Sequence, residues 1–280
     1  MTATLTLAPL AHTVGAEAKG VDAERLVADG LGGAVLGALE TYGVLVFRGL
    51  DLEPEAQVAF CEQLGQVDDS QGHHPVRGIF RVTLDTSKNA NADYLRGTFE
   101  WHIDGCTPLH GEFPQMATML SAKAIADSGG ETEFASTYAA YEDLNDVEKE
   151  LVGTLQVVHT LEASQRRQNP DPTPGQLAGW RARPTAEHPL VWTHRNGRKS
   201  LVIGASADHV VGMGLDEGRA LLEELLARST RPERVYHHSW AVGDTVIWDN
   251  RGVLHRALPY PSDSPREMLR TTVLGDEPIE

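Results

Sequence analysis

Cysteine is nearly absent from this 280-residue sequence, which contains only Cys61 and Cys106. Two thiols cannot form a disulfide framework or a cysteine-based zinc site, and such a chain fits a reducing compartment. Long apolar runs are lacking as well, because no stretch approaches the ~20 apolar residues of a membrane span and the N-terminal residues lack a secretory pattern. We therefore predict a cytoplasmic location and no membrane partner.

Basic residues are also scarce, since 24 Lys and Arg stand against 40 Asp and Glu, which gives a formal net charge of −16. A surface of this sign repels phosphate backbones and anionic lipids, so nucleic acid is not expected as a partner. The same field makes a small anionic substrate difficult to attract unless a few arginines are reserved for it. Arginines that occur in a pattern with other polar residues are therefore candidates for binding such an anion.

Internal repeats, low-complexity tracts and long Gly/Ser linkers are missing, which favours a single domain over residues 1–280. Hydrophobic residues make up 41% of the chain, enough for a substantial core. Short apolar segments such as Val44–Phe47, and the hairpin signal Asn196-Gly197, predict mainly antiparallel β structure. We expect a β core with helices attached to it.

Helical signals lie between the predicted strands. Apolar residues at near-helical spacing predict one helix over 26–39 that Gly43 ends, and a second clear amphipathic helix over 215–228. Asn145 with Glu148 three residues later forms a helix-capping signature. The polar stretch 165–183 carries three prolines, and we predict an irregular loop there that serves as a lid.

His102 and Asp104 form the most informative pair in the sequence. Residues two apart on an extended chain point to one face, with Cα atoms ~6.5 Å apart, so the imidazole and the carboxylate can chelate one metal. His255, far downstream, is the best third ligand. Two histidines and one carboxylate make the facial triad typical of non-haem Fe(II), which leaves positions open for a co-substrate and oxygen.

Arg266 and Arg270 follow in a C-terminal segment with strand character. If the strand begins near Arg266, both arginines share one face with Met268 and Thr272. Four residues along a strand span ~13 Å, which is too far for one small carboxylate and suits two different anions.

Together these segments resemble the Fe(II)- and 2-oxoglutarate-dependent dioxygenases of the taurine dioxygenase and 2,4-dichlorophenoxyacetate dioxygenase group. Four motifs carry the resemblance, which covers nearly the whole chain: Trp101-His102-Ile103-Asp104, Gly129-Gly130-Glu131-Thr132, Ile247-Trp248-Asp249-Asn250-Arg251 with His255, and Arg266 with Arg270. The resemblance implies a double-stranded β-helix (jelly-roll) core with flanking helices, and a metal site at one mouth of the barrel.

The resemblance also implies a reaction, in which oxidative decarboxylation of 2-oxoglutarate to succinate and CO2 is coupled to hydroxylation of a small organic substrate by O2. Bond cleavage follows where the oxidised carbon bears oxygen, nitrogen or sulfur. The metal ligands would be His102, Asp104 and His255. Arg266, helped by the Thr132 hydroxyl, would hold the distal carboxylate of 2-oxoglutarate.

The substrate side is less constrained. Arg270 matches an arginine that contacts the anionic group of taurine, which implies a substrate bearing a carboxylate, sulfonate or sulfate. Gly105 stands where the taurine enzyme has an apolar residue, opens space beside the iron and favours a larger substrate. We also predict Tyr94, Arg96 and Phe99 as substrate-binding residues. The oligomeric state, including a homo-oligomer, stays open.

Two other functions fit the same three ligands. A hydrolase with zinc in the triad would need only a metal-bound water and a general base, and would not require Arg266 or Thr132. A non-enzymatic, cupin-like binding protein would retain the barrel without open metal positions. Stimulation by 2-oxoglutarate, and its oxygen-dependent consumption, distinguish an oxygenase from both.

Overall fold

The computed structural model describes residues 4–28, 30–70, 74–90, 92–107 and 113–280. The strands are β1 (Thr6–Pro9), β2 (Ala16–Lys19), β3 (Val44–Phe47), β4 (Phe80–Val82), β5 (Gln115–Ala124), β6 (Thr132–Ser136), β7 (Gln156–His159), β8 (Ala186–Pro189), β9 (Val191–Thr193), β10 (Lys199–Leu201), β11 (Ala207–Val210), β12 (Val235–His238), β13 (Thr245–Asp249), β14 (Val253–Ala257) and β15 (Glu267–Leu274). The helices are α1 (Ala23–Ala28), α2 (Gly32–Tyr42), α3 (Pro54–Glu62), α4 (Thr137–Glu142), α5 (Asp146–Val152), α6 (Leu161–Gln168), α7 (Pro174–Arg181) and α8 (Leu215–Ser229), with 3₁₀ turns at Tyr94–Phe99 and Pro232–Arg234.

Two sheets face each other across the core. The larger has the strand order β1-β2-β3-β13-β5-β15-β4, in which β2 and β3 pair in parallel, and the smaller has the order β12-β6-β14. Between them, Val246 and Trp248 of β13 pack with Phe134 of β6 and Val253 of β14 in one buried cluster. The predicted antiparallel β core is therefore present, and chain connections that cross between the sheets bring distant sequence segments to one end.

The N-terminal helices cover the outer face of the larger sheet, where Leu39 of α2 and Phe60 of α3 pack against Leu45 and Ile247. The single helix predicted over 26–39 is divided into α1 and α2. Gly30 between them has φ +61°, a left-handed conformation that a continuing right-handed helix cannot contain. Gly43, at φ +70°, ends α2 as predicted.

The segment 165–183 differs from the sequence prediction, because it is helical rather than an irregular loop. Residues 165–168 are the end of α6 and residues 174–181 form α7, with a short non-helical connection between them. The prolines do not prevent this, since Pro174 occupies the first helical turn, where no backbone N–H is needed. Thr173 and Gln176 complete a capping box at the same end.

Other local predictions are confirmed. Asn145 and Glu148 form the predicted capping box of α5, and β9 and β10 pair as the hairpin around Asn196-Gly197. Helix α8 matches the predicted amphipathic segment to within one residue. None of the helices within the described ranges is long and apolar enough to cross a membrane.

Candidate metal and substrate site

The three predicted metal ligands meet beside β14, an edge strand of the smaller sheet. His102 and His255 form an antiparallel bridge, in which each backbone N–H donates to the other residue's carbonyl at 3.0 and 2.9 Å. Asp104 lies in the turn that follows, with its carboxylate oxygens 3.7 Å from Nε2 of each histidine. One ligand atom from each residue falls within 4.8 Å of the others, which suits coordination of a single ion.

Gly105 has a backbone role in this turn. Its φ is +90°, and a Cβ at this position would lie 2.6 Å from the backbone nitrogen of Gln115. The residue lines the wider cavity described below, as expected for the space beside the metal. The main reason for a glycine at this position is the backbone, because the chain reverses directly after Asp104 and passes close to β5.

Neighbouring groups orient the ligands. The carbonyl of Glu100 lies 2.8 Å from Nδ1 of His102, so that Nδ1–H donates to it and the Nε2 lone pair faces the metal position. Thr118 donates to Asp104 Oδ2 at 3.1 Å, and Asn250 donates in turn to Thr118 at 2.9 Å. Sequence reasoning missed Thr118, which has no motif around it, while Asn250 stands in the quoted segment before His255.

The protonation states suit metal binding. Burial, with a contribution from the His102 ring, lowers the pKa of His255 to about 3, so its imidazole is neutral near pH 7. Burial alone would raise the pKa of Asp104, but the neighbouring His255 and His102 rings, the Arg270 cation and the hydrogen bond from Thr118 hold it below its ordinary value. The site therefore offers a neutral His255 imidazole and an ionised Asp104 carboxylate.

A small cavity of about 60 Å³ opens onto the triad and contains a buried cation. Arg266, only 2% exposed, lines it together with Thr132. The guanidinium lies 4.7 Å from the Tyr260 ring centroid and its Nε donates to the Gly130 carbonyl at 3.1 Å, but it forms no ion pair with a carboxylate of the described chain. Burial lowers the pKa of Arg266, as expected for a cation held away from water.

The strand geometry behind this placement differs from the prediction. β15 begins at Glu267, and its pairing with β5 is irregular between Glu267 and Met268, so Arg266 lies before the strand rather than on its face. Arg270 lies within β15, with its guanidinium 4.7 Å from the Phe80 ring centroid. Both arginines still line the small cavity, and Arg270 also lines a second one.

The second cavity is wider, at about 240 Å³, and opens from the triad towards solvent. Tyr94, which is 43% exposed, lines it, as do Arg270 and Arg183. Arg183 follows α7 and was not predicted from the sequence, because nothing in its local pattern distinguishes it from other surface arginines. Desolvation raises the pKa of the Tyr94 phenol, and the nearby charges of Arg270, Asp104 and Arg183 modify this shift.

Two of the predicted substrate residues lie elsewhere. The Phe99 ring is buried, packs with Leu84 and Leu95, and lies edge-on to Tyr260 at 5.8 Å. Arg96 extends towards Asp93 at the surface. Neither residue is among those that line the two cavities. The 3₁₀ turn from Tyr94 explains the difference, since its side chains do not alternate as on a strand.

Comparison with known proteins agrees with this geometry. The family model described as "Taurine catabolism dioxygenase TauD, TfdA family" matches residues 6–272. The chain is 38% identical to the "Alpha-ketoglutarate-dependent 2,4-dichlorophenoxyacetate dioxygenase" of Burkholderia sp. (strain RASC), covering 85% of this chain and 83% of that protein. It is 34% identical to the "(S)-phenoxypropionate/alpha-ketoglutarate-dioxygenase" of Sphingobium herbicidovorans, covering 98% and 96% of the two chains.

A solved structure shows the same architecture. The crystal structure of AAD-2 in complex with Mn(II) and N-oxalylglycine aligns with a TM-score of 0.83 at 31% identity, covering 99% of this chain and 100% of that chain. This match confirms the predicted jelly-roll core with flanking helices.

Proposed function

Because the chain belongs to the taurine catabolism dioxygenase TauD, TfdA family, we propose that its metal site consists of His102, Asp104 and His255. The protein is an Fe(II)- and 2-oxoglutarate-dependent dioxygenase that acts on a small organic substrate. Bound Fe(II), with 2-oxoglutarate and O2, supplies the oxidising chemistry, and succinate and CO2 are formed alongside the hydroxylated product. The protein's own residues position the metal and the two substrates relative to one another and exclude water.

The donor set fits Fe(II). Two imidazoles and one carboxylate converge within 4.8 Å and leave open the side that faces the two cavities. The Thr118–Asn250 chain fixes the Asp104 carboxylate, and the Glu100 carbonyl fixes the His102 ring. Such supporting bonds keep the ligands aimed at one point before the metal arrives.

The buried Arg266 is the observation that carries the co-substrate assignment. The Arg266 guanidinium is 2% exposed and has no carboxylate partner in the described chain. Burying a cation in this way costs free energy unless a bound anion pairs with it. The small cavity places this cation beside the triad, where the distal carboxylate of 2-oxoglutarate would lie once the other end reaches the metal. Thr132 lines the same cavity and adds a hydroxyl donor without adding charge.

For the second substrate we propose an anion bearing a carboxylate, sulfonate or sulfate. Arg270 lines both cavities, so it can contact an anionic group in the wider one while 2-oxoglutarate fills the smaller one. Tyr94 and Gly105 line the remaining wall, and Arg183 adds a second cation. The wider cavity accommodates a group larger than a compact alkylsulfonate, and two similar proteins are named for phenoxyacetate and phenoxypropionate.

The zinc hydrolase and the cupin-like binding protein have less support. Neither function requires a buried arginine beside the metal, and family membership favours the oxygenase. We further propose that residues 1–280 form one dioxygenase domain. The cytoplasmic location and a homo-oligomeric state stay predictions from the sequence.

The substrate class can be tested on the anaerobic Fe(II) and 2-oxoglutarate complex. A panel of 2,4-dichlorophenoxyacetate, 2-phenoxypropionate, an alkyl sulfate and taurine, each beside an uncharged analogue, is titrated while the visible metal-to-ligand absorption band is recorded. We expect the band to shift with at least one larger anion and not with its uncharged analogue. Equal shifts with the uncharged compounds would contradict the anionic class, and the absence of any 2-oxoglutarate band would contradict the co-substrate assignment.

A further inference from the structure

Trp240 contacts the proposed co-substrate site from outside the cavity. Its indole Nε1–H donates to Thr132 Oγ1 at 2.9 Å, although Trp240 itself does not line the small cavity. The contact follows from strand pairing, since His238 at the end of β12 lies opposite Thr132 on β6, and Trp240 comes two residues later. The His238 ring meets the indole edge-on at 4.4 Å and supports its orientation.

The direction of this hydrogen bond limits what the Thr132 hydroxyl can do. An indole nitrogen only donates, so it occupies one of the two acceptor positions of the hydroxyl and leaves the hydroxyl proton unused. Within the described parts of the chain, Thr132 Oγ1 has no other side-chain partner. Thr132 is 4% exposed, and the Arg266 guanidinium, which is a donor as well, lines the same cavity.

We propose that Trp240 is a positioning residue for 2-oxoglutarate, acting through Thr132. The proposal rests on the proposed function, in which Thr132 and Arg266 hold the distal carboxylate. By filling an acceptor position, the indole N–H keeps Oγ1 rather than the methyl group directed at the cavity and leaves the O–H to donate to the carboxylate. A β-branched side chain has few χ1 rotamers, so one such bond selects among them.

The expected effect is that of one hydrogen bond. Trp240→Phe keeps most of the aromatic packing against His238 and removes the N–H. We expect the dissociation constant of 2-oxoglutarate to rise about 3- to 10-fold, with Fe(II) affinity and kcat at saturating 2-oxoglutarate unchanged. Trp180→Phe on α7, far along the chain from this contact, serves as the matched control and should leave the constant unchanged.

A double-mutant cycle tests whether the effect passes through Thr132. The dissociation constant of 2-oxoglutarate is measured from the visible band of the anaerobic Fe(II) complex for wild type, Trp240→Phe, Thr132→Val and the double variant. We expect Trp240→Phe to add nothing once Thr132 is replaced. A full additional loss in the double variant, or an unchanged constant in Trp240→Phe, would overturn the proposal.

Two further results separate this proposal from the proposed function. An unchanged constant in Thr132→Val would remove Thr132 from the co-substrate site, and with it the basis for Trp240. A wild-type protein that forms no 2-oxoglutarate complex would overturn the proposed function itself. Should Trp240→Phe fail to fold, Trp240→Met replaces it, because methionine also lacks the N–H and keeps an apolar side chain at this position. We then expect the same rise in the dissociation constant of 2-oxoglutarate, and an unchanged constant would overturn the proposal.

Discussion

The two cavities that meet at the metal triad are built differently. The small one has walls from the facing sheets and the segment before β15, and its cation, Arg266, is almost completely buried. The wide one is lined by the 3₁₀ turn at Tyr94, the start of α6 and Arg183 just beyond α7, and it includes exposed side chains such as that of Tyr94. The proposed co-substrate site thus belongs to the β core, whereas the proposed substrate site depends on elements attached to that core.

This difference in construction predicts a difference in energetics. A contact to a buried charge such as Arg266 is screened little, so its removal should cost more than removal of a similar contact to a partly exposed charge. The loss of activity or affinity caused by a substitution should therefore decrease from the shared triad, through the small cavity, to the outer end of the wide cavity. Replacing one residue at each of these positions measures that decrease.

Loss of a metal ligand should have the largest effect, because both cavities open onto the triad. For His102→Ala, Asp104→Ala or His255→Ala we expect no measurable turnover and weakened Fe(II) binding, since two ligands lose much of the chelate effect. Oxygen consumption and anaerobic calorimetry with Fe(II) measure the two losses. Thr118→Val, which removes a supporting bond but no ligand, should retain activity, and full activity in an alanine variant would remove that residue from the triad.

Arg266→Ala tests the small cavity and its buried cation. We expect the apparent KM for 2-oxoglutarate to rise by an amount that corresponds to ~2–4 kcal/mol of lost binding free energy, because a buried charge-assisted pair is lost. Fe(II) binding should stay nearly intact. Arg256→Ala is the control, since Arg256 pairs with Glu133 outside both cavities. An unchanged dependence on 2-oxoglutarate would mean that the co-substrate binds at a different cation.

Arg270→Ala tests the junction of the two cavities. The side chain is partly exposed, so we expect a smaller loss, about 10- to 100-fold in affinity for the anionic substrate, with 2-oxoglutarate binding intact. Succinate formed per substrate oxidised should increase as coupling weakens. Arg270→Lys should restore only part of the affinity, because a point charge cannot reproduce a two-pronged contact. Equal binding to the alanine variant would contradict the anionic-substrate proposal and leave the oxygenase assignment standing.

The same division separates what the sequence predicted from what it missed. The triad, Thr132 and the two arginines stand in short motifs on or beside the strands, where residue alternation and resemblance both apply. Their placement around one point follows from strand pairing, as in the bridge between His102 and His255. The irregular start of β15 shifted Arg266 off the strand without moving it out of the small cavity.

The walls of the wide cavity could not be predicted in this way. Tyr94, Arg96 and Phe99 were predicted because the family draws pocket residues from this segment, but a 3₁₀ turn distributes them to different surroundings. Arg183 lines the wide cavity because α7 packs against α6. That tertiary contact has no local sequence signal. Thr118 likewise reaches Asp104 only through the pairing of β5 with the neighbouring strands.

Arg183 gives the last and smallest prediction, at the outer end of the wide cavity. The three other arginines of the 165–183 segment are paired: Arg166 and Arg181 with Glu162, and Arg167 with Glu223. The Arg183 guanidinium makes no hydrogen bond or ion pair with the described residues and lines the cavity. On a chain of net charge −16, such a cation offsets the repulsion that an approaching anion meets.

For Arg183→Gln we therefore expect kcat/KM for the anionic substrate to fall about two- to fivefold at low ionic strength, because an exposed contact is largely screened. The loss should shrink as salt is added, whereas the loss in Arg270→Ala should persist, since a partly buried pair is screened less. Arg181→Gln is the matched control, with the same charge change on the same segment but outside the cavity. If Arg181→Gln and Arg183→Gln lost activity equally and with the same salt dependence, the effect would come from net charge alone. The outer end of the wide cavity would then contribute no specific anion contact, and recognition of the substrate would fall to Arg270.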